Sequence, residues 1–231
     1  AGFGYTDPAA WSSAEVAGRI ADVVGRVTGG VLVEEAGTDR FAYWPGEPVR
    51  LGARLRLFGE REAERGLALE VTRGDHTVWK EQQRVSLKPG VTEASFVWQP
   101  PPEPGEYAVT ARLEGGEQVS HGFVVLDGAP ASKASFITVA EGDFRLEERT
   151  WCPVGVNFWP LYVSGMDSGD YQAGWLKDAY YAPALVERDL AHLRDMGINM
   201  VSIQTPPLAH GRNLLHFLAR CRRCGIYANL Y

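Results

Sequence analysis

Residues 49–57 read VRLGARLRL, so that an apolar residue alternates with an arginine or a glycine along the whole stretch. A period of two is typical of a β-strand with one face in a core and the other in water, because successive side chains point to opposite faces. We interpret Arg50, Arg54 and Arg56 as the solvated face rather than as a phosphate-binding site. The stretch therefore predicts a half-buried strand.

The same alternation recurs through residues 39–127. It appears in residues 67–71, 94–98, 107–113 and 123–125, and turn signals separate the repeats at Pro45-Gly46, Gly74-Asp75, Pro89-Gly90 and residues 100–105. About seven short strands at this spacing predict an immunoglobulin-like antiparallel β-sandwich. Tyr107 occupies the position of a tyrosine corner at the start of the penultimate strand.

Three tryptophans of this segment have two interpretations, core packing or stacking on a sugar, of which packing is favoured. They are Trp44, Trp79 and Trp98.

The N-terminal segment, residues 1–34, carries one helical pattern. Ser12 and Glu15 have the spacing of a capping box, and Gly29-Gly30 ends the pattern. Its apolar positions are Val16, Ile20, Val23, Val24 and Val27. One helix cannot bury such a stripe alone, so we expect it to dock on a neighbour or to end a preceding domain.

Residues 133–231 have a different pattern. A hairpin is predicted around Gly142, and short apolar strands are predicted at residues 153–158, 200–203 and 226–231. Helices are predicted from Pro183 to Gly197, and on Leu214, Leu215, Leu218 and Cys221 up to Gly225. Strands that alternate with helices of these lengths predict parallel β/α units.

Two runs of this segment resemble the clan A glycoside hydrolases, which include β-galactosidase, β-mannosidase and cellulase families. The first run is GVNFWP at residues 155–160, and the second is VERDL at 186–190 followed by LRDMGIN at 193–199. The resemblance implies that a sandwich precedes an incomplete TIM (β/α)8 barrel, and that the intact protein hydrolyses O-glycosidic bonds of β-linked saccharides. Where many members carry an arginine at the end of the second strand, this chain has Ser202 and Gln204.

In such barrels the active site lies at the carboxyl ends of the strands. Polar side chains there bind sugar hydroxyls, and aromatic rings cover the apolar face of a pyranose. The expected substrate-binding residues are Asn157, Trp159, Gln204, Thr205, Tyr171 and Trp175. The long aromatic loop over residues 161–182 is expected either to form a substrate wall or to pack on itself.

No catalytic residue is assigned within this chain. The resemblance implies two glutamates at the ends of the fourth and seventh strands, whereas a whole barrel needs about 250 residues. We therefore expect the glutamates beyond Tyr231, and this part alone to be inactive. The carboxylates of Asp167, Asp170, Asp178, Glu187 and Asp189 do not have the expected placement, and Glu187 and Asp189 are expected to be solvated or ion-paired.

Composition narrows the other possibilities. The chain has 45% hydrophobic residues, a net charge of −6 and three cysteines, which excludes disorder and a disulfide-rich scaffold. Neither a nucleic acid nor a membrane is expected as a partner. Cys221 and Cys224 fit a redox or zinc pattern, with Cys152 and His216 as further ligands, but ordinary helix cysteines are favoured. We expect no metal and no cofactor.

A different class of function stays open. The sandwich itself would be the functional unit, as a non-catalytic carbohydrate-binding or structural module, and the β/α part would be a degenerate remnant. The sugar, its linkage, the oligomeric state and the compartment, secreted or cytoplasmic, are left open by the sequence.

Overall fold

The computed structural model describes residues 13–28, 30–99, 103–115, 118–127, 136–165, 174–204 and 211–231. The chain divides into two compact units, neither of them continuous in sequence. The first comprises Ala1–Asp39, Pro48–Pro100 and Glu106–Phe123, and the second comprises Arg40–Glu47, Pro101–Gly105 and Val124–Tyr231.

The first unit begins with helix α1, Ala14–Thr28. Its N-cap is Ser13, whose hydroxyl oxygen accepts a hydrogen bond from the Val16 amide at 3.2 Å. The predicted cap, Ser12, lies outside the described residues. Of the predicted apolar stripe, Val16 is buried but Val24 is 54% exposed. Only part of the stripe is therefore covered by the rest of the protein.

Eight strands follow: β1 Val31–Thr38, β2 Ala42–Tyr43, β3 Val49–Leu57, β4 Ala63–Arg73, β5 His76–Leu87, β6 Gly90–Trp98, β7 Gly105–Leu113 and β8 Gln118–Val125. One sheet has the order β1-β3-β6 and the other the order β2-β8-β7-β4-β5. Strand β3 alternates buried and exposed residues along its whole length, as its sequence predicts.

Aromatic contacts join the two sheets of the first unit. Trp98 of β6 meets Tyr107 of β7 edge-on at 5.7 Å, and Tyr107 stacks on Phe123 at 5.3 Å. Trp79 of β5 meets Phe96 of β6 at 6.2 Å. The aromatic side chains therefore fill the space between two layers, as in an antiparallel β-sandwich.

The second unit contains a small antiparallel sheet of β9 Ile137–Ala140, β10 Asp143–Leu146 and β11 Arg149–Thr150, in the order β11-β10-β9. The predicted hairpin is confirmed, with Asp143 paired to Ala140. Glu141 and Gly142 form its turn with φ values of 55° and 86°. Positive φ at both central residues matches the right-handed twist of the two strands.

A parallel sheet follows, and it confirms the predicted β/α units. Its strands are β12 Gly155–Asn157, β13 Met200–Ile203 and β14 Tyr227–Leu230, which lie in chain order. Two short 3₁₀ helices, Leu161–Gly165 and Gly174–Leu176, and helix α2, Pro183–Asp195, connect β12 to β13. Helix α3, Gly211–Arg223, precedes β14.

The core of the second unit lies between the parallel sheet and its helices. Val201 and Ile203 of β13 pack with Val186, Leu190 and Phe217 of the helices, and all five are fully buried. Alternate residues of β13 therefore point to the helices, and the others point to the opposite face.

The predicted stripe of α3 needs a correction. Leu215 is 44% exposed, whereas Phe217 and Cys221 are buried together with Asn213, His216 and Arg220. The helix is rotated away from Leu215 because these three polar side chains find hydrogen-bond partners and so can be buried. Among the described helices, none combines the length and hydropathy that a membrane span requires.

Candidate functional site

Three polar side chains form a row across the parallel sheet near the carboxyl ends of its strands. The strand register pairs Asn157 with Ser202, and Ser202 with Asn229. The Asn229 side-chain amide, Nδ2, donates a hydrogen bond to the Ser202 hydroxyl oxygen at 2.8 Å. Asn157 and Asn229 are exposed, and Ser202 is half-buried. Ser202 and Asn229 were not predicted as site residues, although the period of two would place them beside Asn157.

Two predicted site residues, Trp159 and Gln204, come two positions after Asn157 and Ser202 in the sequence. Trp159 is half-buried and packs against the core of the second unit. Gln204 is half-buried, and its Oε1 atom is buried without a hydrogen-bond partner among the described residues. A buried acceptor without a donor is costly.

The other predicted site residues have different outcomes. Tyr171 and Thr205 lie outside the described residues. Trp175 is fully buried, and its ring meets Phe158 at 5.8 Å and Phe217 at 5.2 Å, both edge-on. Its indole therefore packs in the core and offers no face to solvent, so that this part of the loop over residues 161–182 packs on the unit itself.

The row nearer the amino ends of the same strands is uncharged and only partly buried. It consists of Gly155, Met200 and Tyr227, which are paired by the register. A Cβ atom on Gly155 would meet the terminal methyl of Met200 at 2.6 Å, so a larger residue there would require the Met200 side chain to move. The Trp151 ring lies edge-on to the Tyr227 ring at 5.5 Å. The polar row thus lies next to an uncharged row of partly buried residues.

A buried polar network lies on α3. The Arg220 guanidinium donates from Nε to His216 Nε2 at 2.9 Å, and Tyr181 Oη lies 2.6 Å from His216 Nδ1. Arg220 also pairs with Glu187 of α2 at 2.5 Å. Since Nε2 accepts a hydrogen bond, the neutral ring carries its proton on Nδ1 and donates it to Tyr181. Burial raises the pKa of the Tyr181 phenol, which stays protonated.

An ion pair anchors residues 40–47, a segment that we call the strap, to the start of α3. The Glu47 carboxylate accepts two hydrogen bonds from the Arg212 guanidinium, that from Nη2 to Oε1 at 2.6 Å. The Trp44 amide donates to the same carboxylate at 2.9 Å, and the guanidinium lies 5.7 Å from the centre of the Trp44 ring. The hydrogen bonds from Arg212 are the main reason that the pKa of Glu47 is lowered.

Phe41 of the strap packs on the polar network of α3. Its ring meets the His216 ring edge-on at 4.8 Å and the Tyr181 ring at 5.7 Å. The strap therefore contacts both the apolar side of this network and the charged start of the helix.

Three carboxylates of the second unit, those of Asp178, Glu187 and Asp189, are engaged in structural contacts. Asp178 accepts a hydrogen bond from Asn213 at 2.9 Å and lies 3.8 Å from Arg40. Glu187 pairs with Arg220, and Asp189 with Arg188 at 3.0 Å, so that of the two expected states, solvated or ion-paired, both residues adopt the second. Asp167 and Asp170 lie outside the described residues.

The cysteines are free thiols and do not form a metal centre within the described residues. Cys221 is buried, which raises the pKa of its thiol, while Cys224 is half-buried and Cys152 is exposed. His216 has both ring nitrogens in side-chain contacts, so it is not available as a further ligand.

The tryptophans of the predicted sandwich have separate roles. Trp98 is buried in the core of the first unit, which confirms the packing interpretation for that residue. Trp79 is half-buried, and Trp44, at 36% exposure, lies beside Arg212 in the second unit.

A comparison with protein families finds one match. A family described as Halobacterial Ig-like domain matches residues 63–152. The chain is therefore similar to an immunoglobulin-like domain over these residues, which are less than half of its length. No curated protein sequence matches the chain significantly.

Solved structures of carbohydrate-active enzymes are similar to parts of the chain. A β-glucosidase from Erythrobacter marinus is 17% identical over 42% of this chain and 15% of its own, with a TM-score of 0.35. A glycosyl hydrolase family 2 member from Bacteroides cellulosilyticus is 15% identical over 86% of this chain and 26% of its own, with a TM-score of 0.40.

A cycloisomaltooligosaccharide glucanotransferase from Paenibacillus sp. is 14% identical over 86% of this chain and 27% of its own, with a TM-score of 0.40. The chain thus spans only 15% to 27% of the length of these three enzymes.

Proposed function

We propose that this chain is part of a glycoside hydrolase that cleaves O-glycosidic bonds of β-linked saccharides, with its residues 133–231 forming the first strands of a (β/α)8 barrel. The sandwich precedes the barrel as an accessory domain. The proposal starts from the sequence motifs at residues 155–160 and 186–199.

The observation that carries the proposal is the set of polar groups at the carboxyl ends of three parallel strands in chain order. Enzymes built on β/α barrels bind their substrates at this end of the sheet. Amide and hydroxyl side chains there suit a ligand that is rich in hydroxyl groups.

The proposed role of this chain is substrate binding rather than bond cleavage. Asn157, Trp159 and Gln204 are proposed to contact the sugar, and Thr205 and Tyr171 are proposed to contribute from the loops. Trp175 is proposed to support the loop from within the core. The general acid and the nucleophile are proposed to come from glutamates outside these 231 residues, since a retaining mechanism requires two carboxyl groups about 5 Å apart.

The alternative, a carbohydrate-binding sandwich, requires an exposed aromatic platform. Trp98 is buried between the sheets of the first unit, so it does not provide one. The burial of Trp98 counts against this alternative at that residue, whereas the half-buried Trp79 leaves the alternative open.

The test compares these 231 residues with the same chain extended by the coding sequence that follows in its gene. We expect the extended protein to release the chromophore from aryl β-glycosides of glucose, galactose or mannose, and the shorter chain to release none. Turnover that co-purifies with the shorter chain would contradict the proposed division of roles. A gene that ends at Tyr231, or an inactive extended protein, would refute the proposal itself.

A further inference from the structure

Two of the three cysteines lie one turn apart at the end of α3. Cys221 belongs to the last turn of the helix, and Cys224 is the first residue after it. The Cys224 amide donates to the Cys221 carbonyl oxygen at 3.0 Å and also lies 3.2 Å from the Arg220 carbonyl oxygen, so the backbone keeps its helical path up to Cys224. Helix geometry then separates the two Cα atoms by about 5 Å, which lies within the range of about 4.4–6.8 Å that disulfides span.

The end of the helix allows the two side chains to approach each other. Side chains three residues apart on a helix have Cβ atoms about 5–6 Å apart, whereas a disulfide needs about 3.5–4.5 Å, so closure requires a movement of about 1–2 Å. Gly225 follows Cys224 with a φ of 68° and takes the chain out of the helix. Cys221 is held in the core, so the movement falls on Cys224, at the end of the last turn.

The two thiols differ in burial, which gives them different roles. Cys221 is 1% exposed, and burial raises the pKa of its thiol, whereas Cys224 is half-buried and can be reached from solvent. Arg194 of α2 is paired with Asp195 and also interacts electrostatically with Cys224. A neighbouring cation favours the thiolate, which is the form that attacks a disulfide. Cys224 is therefore the thiol that meets an oxidant, and Cys221 is the thiol beside it.

We propose that Cys221 and Cys224 form a reversible intramolecular disulfide, and that this pair is a site of oxidation by small disulfides such as oxidised glutathione. The proposal is independent of the glycosidase function proposed above, because it involves neither the strand ends nor a sugar.

The oxidation takes place in two exchange steps. The Cys224 thiolate attacks one sulfur of oxidised glutathione, whose S–S bond breaks and releases one glutathione thiolate. The Cys221 thiol then gives its proton to water and attacks the Cys224 sulfur, which forms the protein disulfide and releases the second glutathione. Two protein thiols are thereby oxidised, and one molecule of oxidised glutathione is reduced to two thiols.

The test incubates the full folded chain with mixtures of reduced and oxidised glutathione, blocks the remaining thiols with N-ethylmaleimide and maps the peptides by mass spectrometry. Trypsin cleaves after Arg220, Arg222 and Arg223, and so places the two cysteines in separate peptides, residues 221–222 and 224–231. We expect these two peptides to be recovered as a linked pair that lacks two hydrogen atoms and separates on reduction.

Two variants and one unfolded sample accompany the wild type. In Cys221→Ala glutathione should stay on Cys224, and this mixed disulfide should be about tenfold more abundant than in the wild type, because an adjacent thiol has a higher effective concentration than free glutathione. Cys152→Ser is the matched control and should form the Cys221–Cys224 disulfide as the wild type does, since it removes the exposed third thiol. The wild type in urea reports the oxidation of the same thiols without the helix.

Three results would overturn the proposal. Glutathione that stays on Cys224 in the wild type as it does in Cys221→Ala would show that Cys221 does not reach the mixed disulfide. A link from either cysteine to Cys152, absent from Cys152→Ser, would show that the partner is wrong. Thiols that remain free in the folded wild type would refute the disulfide, and their oxidation in urea would locate the cause in the native helix.

Discussion

Neutralising Glu47 should weaken the second unit by removing the ion pair between the strap and α3. The perturbation is Glu47→Gln, which keeps the size of the side chain and removes its charge. Combined with Arg212→Gln and the double variant, it forms a double-mutant cycle that isolates the coupling free energy of the pair.

The magnitude follows from the geometry and the exposure of the pair. Two hydrogen bonds join the charged groups, and hydrogen bonds to charged groups contribute about 1.5–3 kcal/mol net. The side chains of Arg212 and Glu47 are 21% and 29% exposed, so water partly screens the ion pair. We therefore expect a coupling of about 1–2 kcal/mol, or about 2–8 °C in Tm for a chain of this size.

The effect also depends on pH with a definite sign. The pKa of Glu47 lies below its ordinary value of 4.5 in the folded protein, chiefly because Arg212 donates hydrogen bonds to the carboxylate. The ion pair therefore contributes fully to the stability of the folded protein above pH 4.5, and this contribution is lost as the pH falls through the lowered pKa of Glu47. We expect the stability of the wild type to fall more steeply with acid than that of Glu47→Gln.

The assay is equilibrium urea unfolding followed by tryptophan fluorescence and by circular dichroism, at neutral pH and through the acid range. The control cycle is Glu15 with Arg19, a pair on α1 that is 74% and 61% exposed and should show a coupling of about 0.3–0.5 kcal/mol. A Glu47–Arg212 coupling no larger than the control, or equal acid slopes, would refute the reasoning.

Three further predictions concern α3. Phe217→Ala should lower the free energy of unfolding in urea by about 3–5 kcal/mol, and Leu215→Ala by less than about 1 kcal/mol. The reason is that Phe217 is fully buried, whereas Leu215 is 44% exposed. A reversed order would show that the helix has the opposite rotation. His216→Ala should cost about 2–4 kcal/mol, since it leaves Tyr181 and Arg220 without their histidine partner; a loss below about 0.5 kcal/mol would mean that the network contributes little. In the native protein iodoacetamide should label Cys224 well before Cys221, which is buried with a raised thiol pKa, and equal labelling by mass spectrometry would contradict that burial.

The elements with strict periodicity could be predicted from the sequence. The alternation in β3, the hairpin around Gly142 and the parallel β/α order follow from local patterns, since period, turn residues and helix stops act over a few residues. The expected positions of Asn157 and Gln204 at strand ends follow from the same local reasoning.

Long-range polar contacts could not be predicted in this way. His216 can be buried because it forms a hydrogen bond with Tyr181, which lies 35 residues away in the sequence. The helical pattern around His216 does not indicate that partner. The prediction that Leu215 is buried fails for the same reason. A pattern of apolar residues does not account for the polar side chains that are buried on α3. The hydrogen bond between Ser202 and Asn229 spans 27 residues and depends on the parallel register of the two strands.

The strap has a consequence for biosynthesis. Glu47 and Arg212 are 165 residues apart, so Arg212 leaves the ribosome long after Glu47. At about 5–20 residues per second, that interval is on the order of ten to thirty seconds. Phe41 lacks the Tyr181 and His216 rings, on which it packs in the folded protein, until each of them has been synthesised. The nascent chain therefore carries Phe41 without its packing partners during this time, and we would expect a chaperone to bind at this segment during synthesis.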